Sequence, residues 1–374
     1  MLSSRVRSAG VRALTSFRRS QSTASGIWSD FSKRSPSLAV LNPDIKLLHE
    51  INPKEGPASI ENLERKLAYH SPVDIDDTFA LAYEFLQKES LAKYNEIETL
   101  KAQEQTKDVK ERIDELLVEA EKFNPEVLYN AEHFGSHNLD KSQPVYRQLL
   151  KEKWQALDLM VLMQRLEQLA VIPDTLPTLV PEVDVKVKFP HNTKSEFSSW
   201  VTPGEILPAF AVAKPPTILI QEFDRVDKDQ LYTVLIVNPD TPDLPSNSFS
   251  TSLQYGLANV PLNNVNNTID TKLLLKYGDS YTFKEYSPLV PEKNAQNQRA
   301  CLWVFRQSSP LEITEVGEEM FDIRDFAEKH SLNPVGAHVW RQHFDRSVNE
   351  VRTEYGMGKG RVFHRVREVQ PVTK

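Results

Sequence analysis

Polar side chains gather at the ends of two apolar runs in the second half of the chain. The run Leu231–Val237 leads into Asn238–Asp240, and the run Cys301–Phe305 is preceded by Gln298 and Arg299. Loops at the ends of buried strands are common places for small-molecule sites. Glutamine and arginine can hydrogen-bond a polar ligand, but neither is a good general acid, general base or nucleophile. The pattern therefore indicates a binding pocket rather than a catalytic centre.

Other residues with chemical potential lack the partners that their chemistry needs. His133 and His137 have the i, i+4 spacing of helical metal ligands, but no third ligand stands nearby. The acidic loop Asp224–Asp229 lacks the glycine and closing glutamate of a calcium loop. The single cysteine, Cys301, lies in an apolar run, which indicates a buried thiol. With no CxxC and no glycine-rich phosphate loop, we expect no catalytic residue, no cofactor and no metal.

The elements that must position the candidate pocket are strands. From residue 183 onward the hydrophobic period is two, beginning with EVDVKVKF and continuing through short runs rich in valine, isoleucine and aromatic residues. Ahead of them, Ile172–Pro181 contains three prolines and is typical of a linker. We predict a mainly β domain over residues 176–348.

The stretch before the linker has a helical period over about residues 59–169. Asn124 followed by Pro125 predicts a helix start, and the apolar stripes are narrow among many charges. Such helices can form a bundle of their own or lie against a partner, because narrow stripes bury little area by themselves. The fold class is therefore α+β, with an extended and helical arm over residues 25–175 and a basic tail over 349–374.

The first 24 residues differ in composition from the remainder of the chain. They hold five arginines, no acidic residue and many serines, which predicts a mitochondrial transit peptide and residence in the mitochondrial matrix. The formal net charge is −7, and removing those five arginines gives −7 − 5 = −12. We therefore expect no general electrostatic attraction to nucleic acid. No stretch approaches the roughly 18 apolar residues of a membrane span.

The pocket-forming stretches resemble the signatures of the phosphatidylethanolamine-binding protein (PEBP) family. Asn238–Pro242 stands where the family has Asp-Pro-Asp-Ala-Pro, and Ser252–Tyr255 follows at the family's spacing. Gln298–Ala300 stands where the family has His-Arg-Tyr entering a strand. The resemblance covers about residues 181–348 and implies a PEBP-like fold for this part of the chain.

Several departures from the family pattern fall on its ligand pocket. The family closes a small anion pocket with an aspartate and two histidines, and this chain has Asn238, Gln254 and Gln298 at those positions. Asp240 and Arg299 remain. Further departures are Asn294, Gln296 and Ala300. Glutamine cannot take the positive charge that histidine offers near neutral pH, and we expect no nearby lysine or arginine to compensate. The pocket is therefore predicted to be degenerate, with no small-molecule ligand.

A degenerate PEBP domain with a helical arm, a basic tail and a targeting segment is similar to the PEBP-like proteins of the mitochondrial large ribosomal subunit. This resemblance implies a structural role at the central protuberance, with neighbouring mitochondrial ribosomal proteins and large-subunit ribosomal RNA as partners. The candidates for RNA contact are Lys359, Arg361, Arg365 and Arg367. The alternative is a free-standing mitochondrial PEBP-type ligand-binding or inhibitor protein.

Overall fold

The computed structural model describes residues 26–41, 60, 62–104, 106–135, 138–192, 194–226, 230–313, 317 and 320–364. Several of the features predicted above lie outside the described residues. They are the transit peptide, His137, the part of the acidic loop after Val226, Arg365 and Arg367. The chain forms two compact units, residues 1–99 and residues 100–374.

The first unit is built around a long helix. The short helix α1 (Leu63–Leu67) and the long helix α2 (Ile75–Lys101) follow 3-10 turns at Ile27–Ser29 and Pro36–Leu38, and α2 continues just past the division between the units. Trp28 is 3% exposed, and its Nε1 donates to Ser90 Oγ of α2 at 3.1 Å. The first turn therefore packs on one face of α2 through an aromatic side chain whose polar atom is satisfied.

The second unit begins with a layer of helices. Its members are α3 (Lys107–Glu121), α4 (Pro125–His133), α5 (Pro144–Lys153), α6 (Leu159–Gln168) and the short α7 (Val171–Asp174). The predicted start at Asn124 is confirmed, because its side chain accepts from the Glu126 backbone N–H at 3.0 Å. A π-helical turn, Trp154–Asp158, joins α5 to α6 without a break.

The β domain follows, with three helices between and after its strands. The strands are β1 (Val183–Lys188), β2 (Ile206–Leu207), β3 (Thr217–Glu222), β4 (Leu231–Asp243), β5 (Ser248–Pro261), β6 (Thr268–Ile269), β7 (Thr282–Lys284), β8 (Gln298–Gln307) and β9 (Asn333–Gln342). The helices are α8 (Thr271–Tyr281), α9 (Ile323–Lys329) and α10 (Val348–Glu354). Within the described residues the strands form a small sheet, in the order β1-β3-β6, and a large sheet, in the order β2-β9-β8-β4-β5-β7.

The large sheet is buried on both faces, which explains why β4 and β8 read as continuous apolar runs. Along β8, Leu302 and Val304 point into the core shared with the small sheet. Trp303 and Phe305 point to the opposite face, into a core shared with α6 and α9. The predicted α+β class with a mainly β PEBP-like domain and a helical region before it is confirmed.

Helix α6 lies on the outer face of the large sheet. Its Leu162 and Leu166 are 4% and 0% exposed and belong to the same core as Trp303. The sequence left open whether the helices form a bundle of their own or lie against a partner. Helix α6 lies against a partner, and that partner is the β domain of its own chain. The narrow apolar stripe of α6 is therefore buried in a core that it shares with the sheet and α9.

Candidate functional site

A cavity of about 480 Å³ opens at the end of the large sheet, where β4, β5 and β8 meet. Three of the five predicted pocket residues line it: Asn238, Gln254 and Gln298. Asn238 and Gln298 are 3% and 6% exposed, so both amides are held inside the wall. They meet because β4 pairs with both β5 and β8, which places the ends of these three strands side by side.

The polar side chains of this cavity hydrogen-bond to one another. Asn238 Nδ2 donates to Thr241 Oγ1 at 3.1 Å and lies 3.4 Å from Gln298 Oε1. The Thr241 and Ser252 hydroxyls are 2.8 Å apart, and Gln254 Nε2 donates to Ser252 Oγ at 2.8 Å. A polar molecule in the cavity would compete with these bonds between neutral groups. It contains no nucleophile paired with a base.

The remaining two predicted residues, Asp240 and Arg299, serve a different purpose. Arg299 Nε and Nη2 donate to the two oxygens of Asp240 at 2.8 and 2.5 Å. Its Nη1 donates to the Leu169 and Ala170 carbonyls and to Asp174 at 2.6, 3.0 and 2.8 Å. The hydrogen bonds with Asp240 raise the pKa of Arg299 above its ordinary value. This pair therefore fixes the end of α6 and the segment after it to the β domain.

The C-terminal segment forms one wall of the cavity. Val362 bridges to Lys293, and the Phe363 backbone N–H donates to the Lys293 carbonyl at 3.0 Å. Asn294 has a φ of +66°, in the left-handed region where the family has a glycine turn, and its Nδ2 donates to the Phe363 carbonyl at 2.7 Å. Asparagine tolerates this conformation better than most residues, so the turn survives the loss of glycine. Its side chain then holds the C-terminal segment in place.

Two arginines from outside the family signatures stand at the cavity. Arg352 of α10 and Arg361 both line the cavity. Arg352 donates to the carbonyls of Val290 and Gly358 at 3.1 and 3.3 Å, so its guanidinium is already engaged. Sequence reasoning missed Arg352 because it lies far along the chain from both signatures and belongs to no motif.

The cavity nevertheless carries no excess of positive charge. Arg352 and Arg361 are balanced by Asp243 and Glu292 in the same lining, and Arg352 Nη2 lies 3.8 Å from Glu292 Oε1. A dianionic head group would meet two carboxylates as well as two guanidiniums. The arrangement suits hydrogen bonding to a neutral molecule better than capture of a phosphate.

Buried titratable groups elsewhere in the β domain do not form a second reactive site. Cys301 is fully buried, and burial raises the pKa of its thiol well above the ordinary value. His338 is 2% exposed, and burial lowers its pKa to about 4. The described residues contain no cluster of acidic, histidine or cysteine side chains suited to a metal ion. They also include no helix long and apolar enough to cross a membrane.

Comparison with known proteins gives this domain a family. Residues 197–340 match the family model described as phosphatidylethanolamine-binding protein. These residues form a PEBP-like domain. It contains the ends of β4, β5 and β8 that form the cavity, whereas α10 and the C-terminal segment lie beyond the matched residues.

One curated relative extends the match outside the PEBP domain. The large ribosomal subunit protein mL38 of Schizosaccharomyces pombe (strain 972 / ATCC 24843) is 32% identical over 217 residues, or 57% of this chain. The alignment spans 66% of that relative, slightly less than two thirds of its length.

Two solved structures also match the PEBP domain. One is a carboxypeptidase Y inhibitor complexed with its cognate proteinase, with 14% identity, a TM-score of 0.41 and coverage of 51% of this chain and 99% of that one. The other is a phosphatidylethanolamine-binding protein from Plasmodium vivax, with 16% identity, a TM-score of 0.37 and coverage of 49% and 97%.

Proposed function

We propose that this protein is a structural component of the mitochondrial large ribosomal subunit, in which the PEBP domain serves as a scaffold. The observation that carries the proposal is the 32% identity to mL38, which reaches beyond the PEBP domain into the neighbouring sequence. The arginine-rich, acid-free first 24 residues support a mitochondrial location. No catalytic role is part of the proposal.

The internal bonding of the PEBP cavity supports a scaffold. Its amides and hydroxyls hydrogen-bond to one another, and Arg299, which is paired with Asp240, binds the segment after α6. Groups that a ligand-binding PEBP domain would present to a ligand are here used to hold the protein's own chain. In this role the domain presents a rigid surface to neighbouring ribosomal proteins at the central protuberance.

Contact with ribosomal RNA is assigned to the basic tail. Lys359 and Arg361 are exposed at the end of the described residues, and Arg365 and Arg367 follow in sequence. Lysine and arginine neutralise phosphates and release counterions, which makes such contacts sensitive to salt. Because the chain as a whole is acidic, with a net charge of −7, we assign RNA contact to this short stretch and protein contact to the remainder.

Sedimentation tests the proposal directly. The full-length chain, expressed with a C-terminal tag in mitochondria of its own organism, is followed on a sucrose gradient of the lysate in magnesium. Co-sedimentation with the large subunit, and a shift to slow fractions when magnesium is chelated, are expected. A slow monomer peak in magnesium would overturn the ribosomal assignment.

The test of the tail removes its positive charges and keeps its length. Replacing Lys359, Arg361, Arg365 and Arg367 with alanine is expected to lower incorporation and to flatten its salt dependence, whereas replacing the three arginines with lysine preserves the charges and serves as the control. Each lost phosphate contact lowers the dependence of log affinity on log salt by roughly 0.7 to 0.9. Equal salt sensitivity of the two variants would place the RNA contact elsewhere.

The free-standing binding protein remains the second candidate because of one observation. Arg361 lines the cavity and, within the described part of the chain, has no hydrogen-bond or ion-pair partner. A free-standing protein that binds a ligand through Arg361 would sediment as a slow monomer in the same gradient. A ribosomal protein would sediment with the large subunit, so the gradient separates the two candidates.

A further inference from the structure

A second cavity, of about 230 Å³, lies between the helical layer and the outer face of the small sheet. Its helical wall comes from the end of α4, the segment that follows it, α5 and the π-helical turn, and its sheet wall comes from β1 and β3. Most of this lining precedes residue 197, where the match to the PEBP family begins. The cavity is therefore created by the helical region and is distinct from the site described above.

The lining contains a buried cation without a partner. Lys141 is 8% exposed, and among the residues that the structure describes its ammonium has no hydrogen bond or ion pair. Burial lowers the pKa of Lys141, and nearby Asp184 only partly opposes this effect. An ammonium held partly out of water without a partner costs free energy, so buried charges are normally paired. An anion in the cavity would supply the missing partner.

The neighbouring charges of the cavity are already engaged with each other. Lys186 Nζ lies 3.1 Å from the Asp184 carboxylate and 3.5 Å from the Asp158 carboxylate. Asp184 is therefore committed to Lys186, and the inner charges, Lys141, Lys186 and Asp184, sum to one positive charge. At the mouth, exposed Glu132 and Asp158 outnumber exposed Lys153, and this net negative charge would oppose a second negative charge on a ligand. The balance favours a monoanion over a phosphate dianion.

Two aromatic rings that pack against each other belong to the apolar part of the lining. Trp154 and Phe223 are 4% and 5% exposed, with ring centroids 5.1 Å apart and planes inclined by 34°. The π-helical turn Trp154–Asp158 brings both of its end residues to the cavity. Such turns are frequent at functional sites because they redirect side chains within a continuous helix. A flat apolar group can pack against this aromatic wall.

We propose that this cavity binds a small monocarboxylate with a planar apolar body, whose carboxylate pairs with Lys141 and whose body packs against Trp154 and Phe223. The ligand completes an ion pair that the protein leaves open. It also bridges the helical layer and the small sheet, because Lys141 and Trp154 belong to the first and Phe223 directly follows β3.

Ligand-detected NMR on the full-length chain tests this with benzoate as the probe and benzyl alcohol as an uncharged molecule of nearly the same shape. Saturable binding of benzoate is expected, with benzyl alcohol roughly 10- to 100-fold weaker, the range that corresponds to a hydrogen bond with a charged group. No saturable benzoate binding, or equal binding of the two probes, overturns the proposal. This comparison requires no substitution and so does not depend on a variant that folds.

Two substitutions locate the site. Lys141→Met is expected to weaken benzoate binding about 10- to 100-fold. Lys151→Met, on the same helical layer but outside the cavity and paired with Asp224 at 3.0 Å, is the matched control and leaves benzoate affinity unchanged. If Lys141→Met fails to fold, Leu219→Trp, which fills the cavity from β3, is expected to abolish binding. Wild-type affinity in a folded Lys141→Met or Leu219→Trp variant contradicts the assignment.

Discussion

Arg299 offers the sharpest test of the idea that this domain uses pocket residues to hold its own chain. The Arg299→Met substitution keeps much of the apolar stem and removes the guanidinium. Five side-chain hydrogen bonds are lost, two to Asp240 and three to the segment Leu169–Asp174. The Asp240 carboxylate, 19% exposed, is then left without its cation.

The expected cost follows from this burial. Breaking a fully buried ion pair by removing one partner costs about 3–5 kcal/mol, whereas exposed pairs contribute about 1 kcal/mol or less. Arg299 and Asp240 are 15% and 19% exposed and lie nearer the buried limit. We therefore expect Arg299→Met to lower the free energy of unfolding by about 2–4 kcal/mol. Adding Asp240→Asn removes the uncompensated charge and should restore about 1 kcal/mol.

Urea unfolding of the full-length chain, followed by tryptophan fluorescence, measures these differences. The control is Arg341→Met, because Arg341 is the cross-strand neighbour of Arg299 and its Nε makes one bond, to the Gly204 carbonyl at 3.0 Å. Its loss should cost about 1 kcal/mol. Hydrogen exchange adds a local readout, since Arg299→Met should speed exchange of the Thr175 amide and the control should not. Equal destabilisation by the two substitutions, with unchanged exchange at Thr175, would refute the reasoning.

Four further predictions concern the β domain. Trp303→Ala should destabilise it by about 3–5 kcal/mol in the same urea experiment, because Trp303 is fully buried and its Nε1 donates to Thr175 Oγ1 at 3.0 Å; a loss under about 1 kcal/mol would contradict its core position. His338 is neutral in the folded state, with a pKa lowered from 6.5 to about 4, so the unfolded state gains a proton first as the pH falls. Stability should therefore decline by about 1.4 kcal/mol per pH unit between these values, and His338→Gln should flatten that slope. Cys301, fully buried with a raised pKa, should not react with a thiol reagent until the protein is unfolded; rapid labelling of the native chain would show that the sheet opens. Calorimetric titration with a short-chain phosphatidylethanolamine should give no saturable heat, and micromolar binding would show that the cavity is a working PEBP site.

Local patterns in the sequence were sufficient for some of the strands, such as β1, and for some helix ends. The alternation of Val183, Val185 and Val187 with polar residues predicts β1, and the three valines are buried in the core between the sheets. Asn124 and Pro125 predict the start of α4. These features depend on side-chain alternation and capping, which act over a few residues and leave a direct trace in the sequence.

The polar character of the cavity was also available from the sequence. Asn238, Gln254 and Gln298 replace charged or titratable residues of the family, and an amide has the same hydrogen-bonding capacity in any fold. The structure adds that these amides lie at one cavity and that Thr241 and Ser252 complete their network. Their mutual bonding depends on the pairing of β4 with β5 and β8, which the residue types do not specify.

Only the tertiary structure decided how the cations are used. Arg299 binds the Leu169 carbonyl across 130 residues of sequence, and Arg352 reaches the Val290 carbonyl across 62. Lys141 is left without a partner inside a cavity that the helical layer makes with the small sheet. A side chain's charge and donors are fixed by its type, but its partner is set by the path of the backbone. That path follows from burying apolar area across the whole chain, so residue types determined what these groups can bind, and packing determined what they meet.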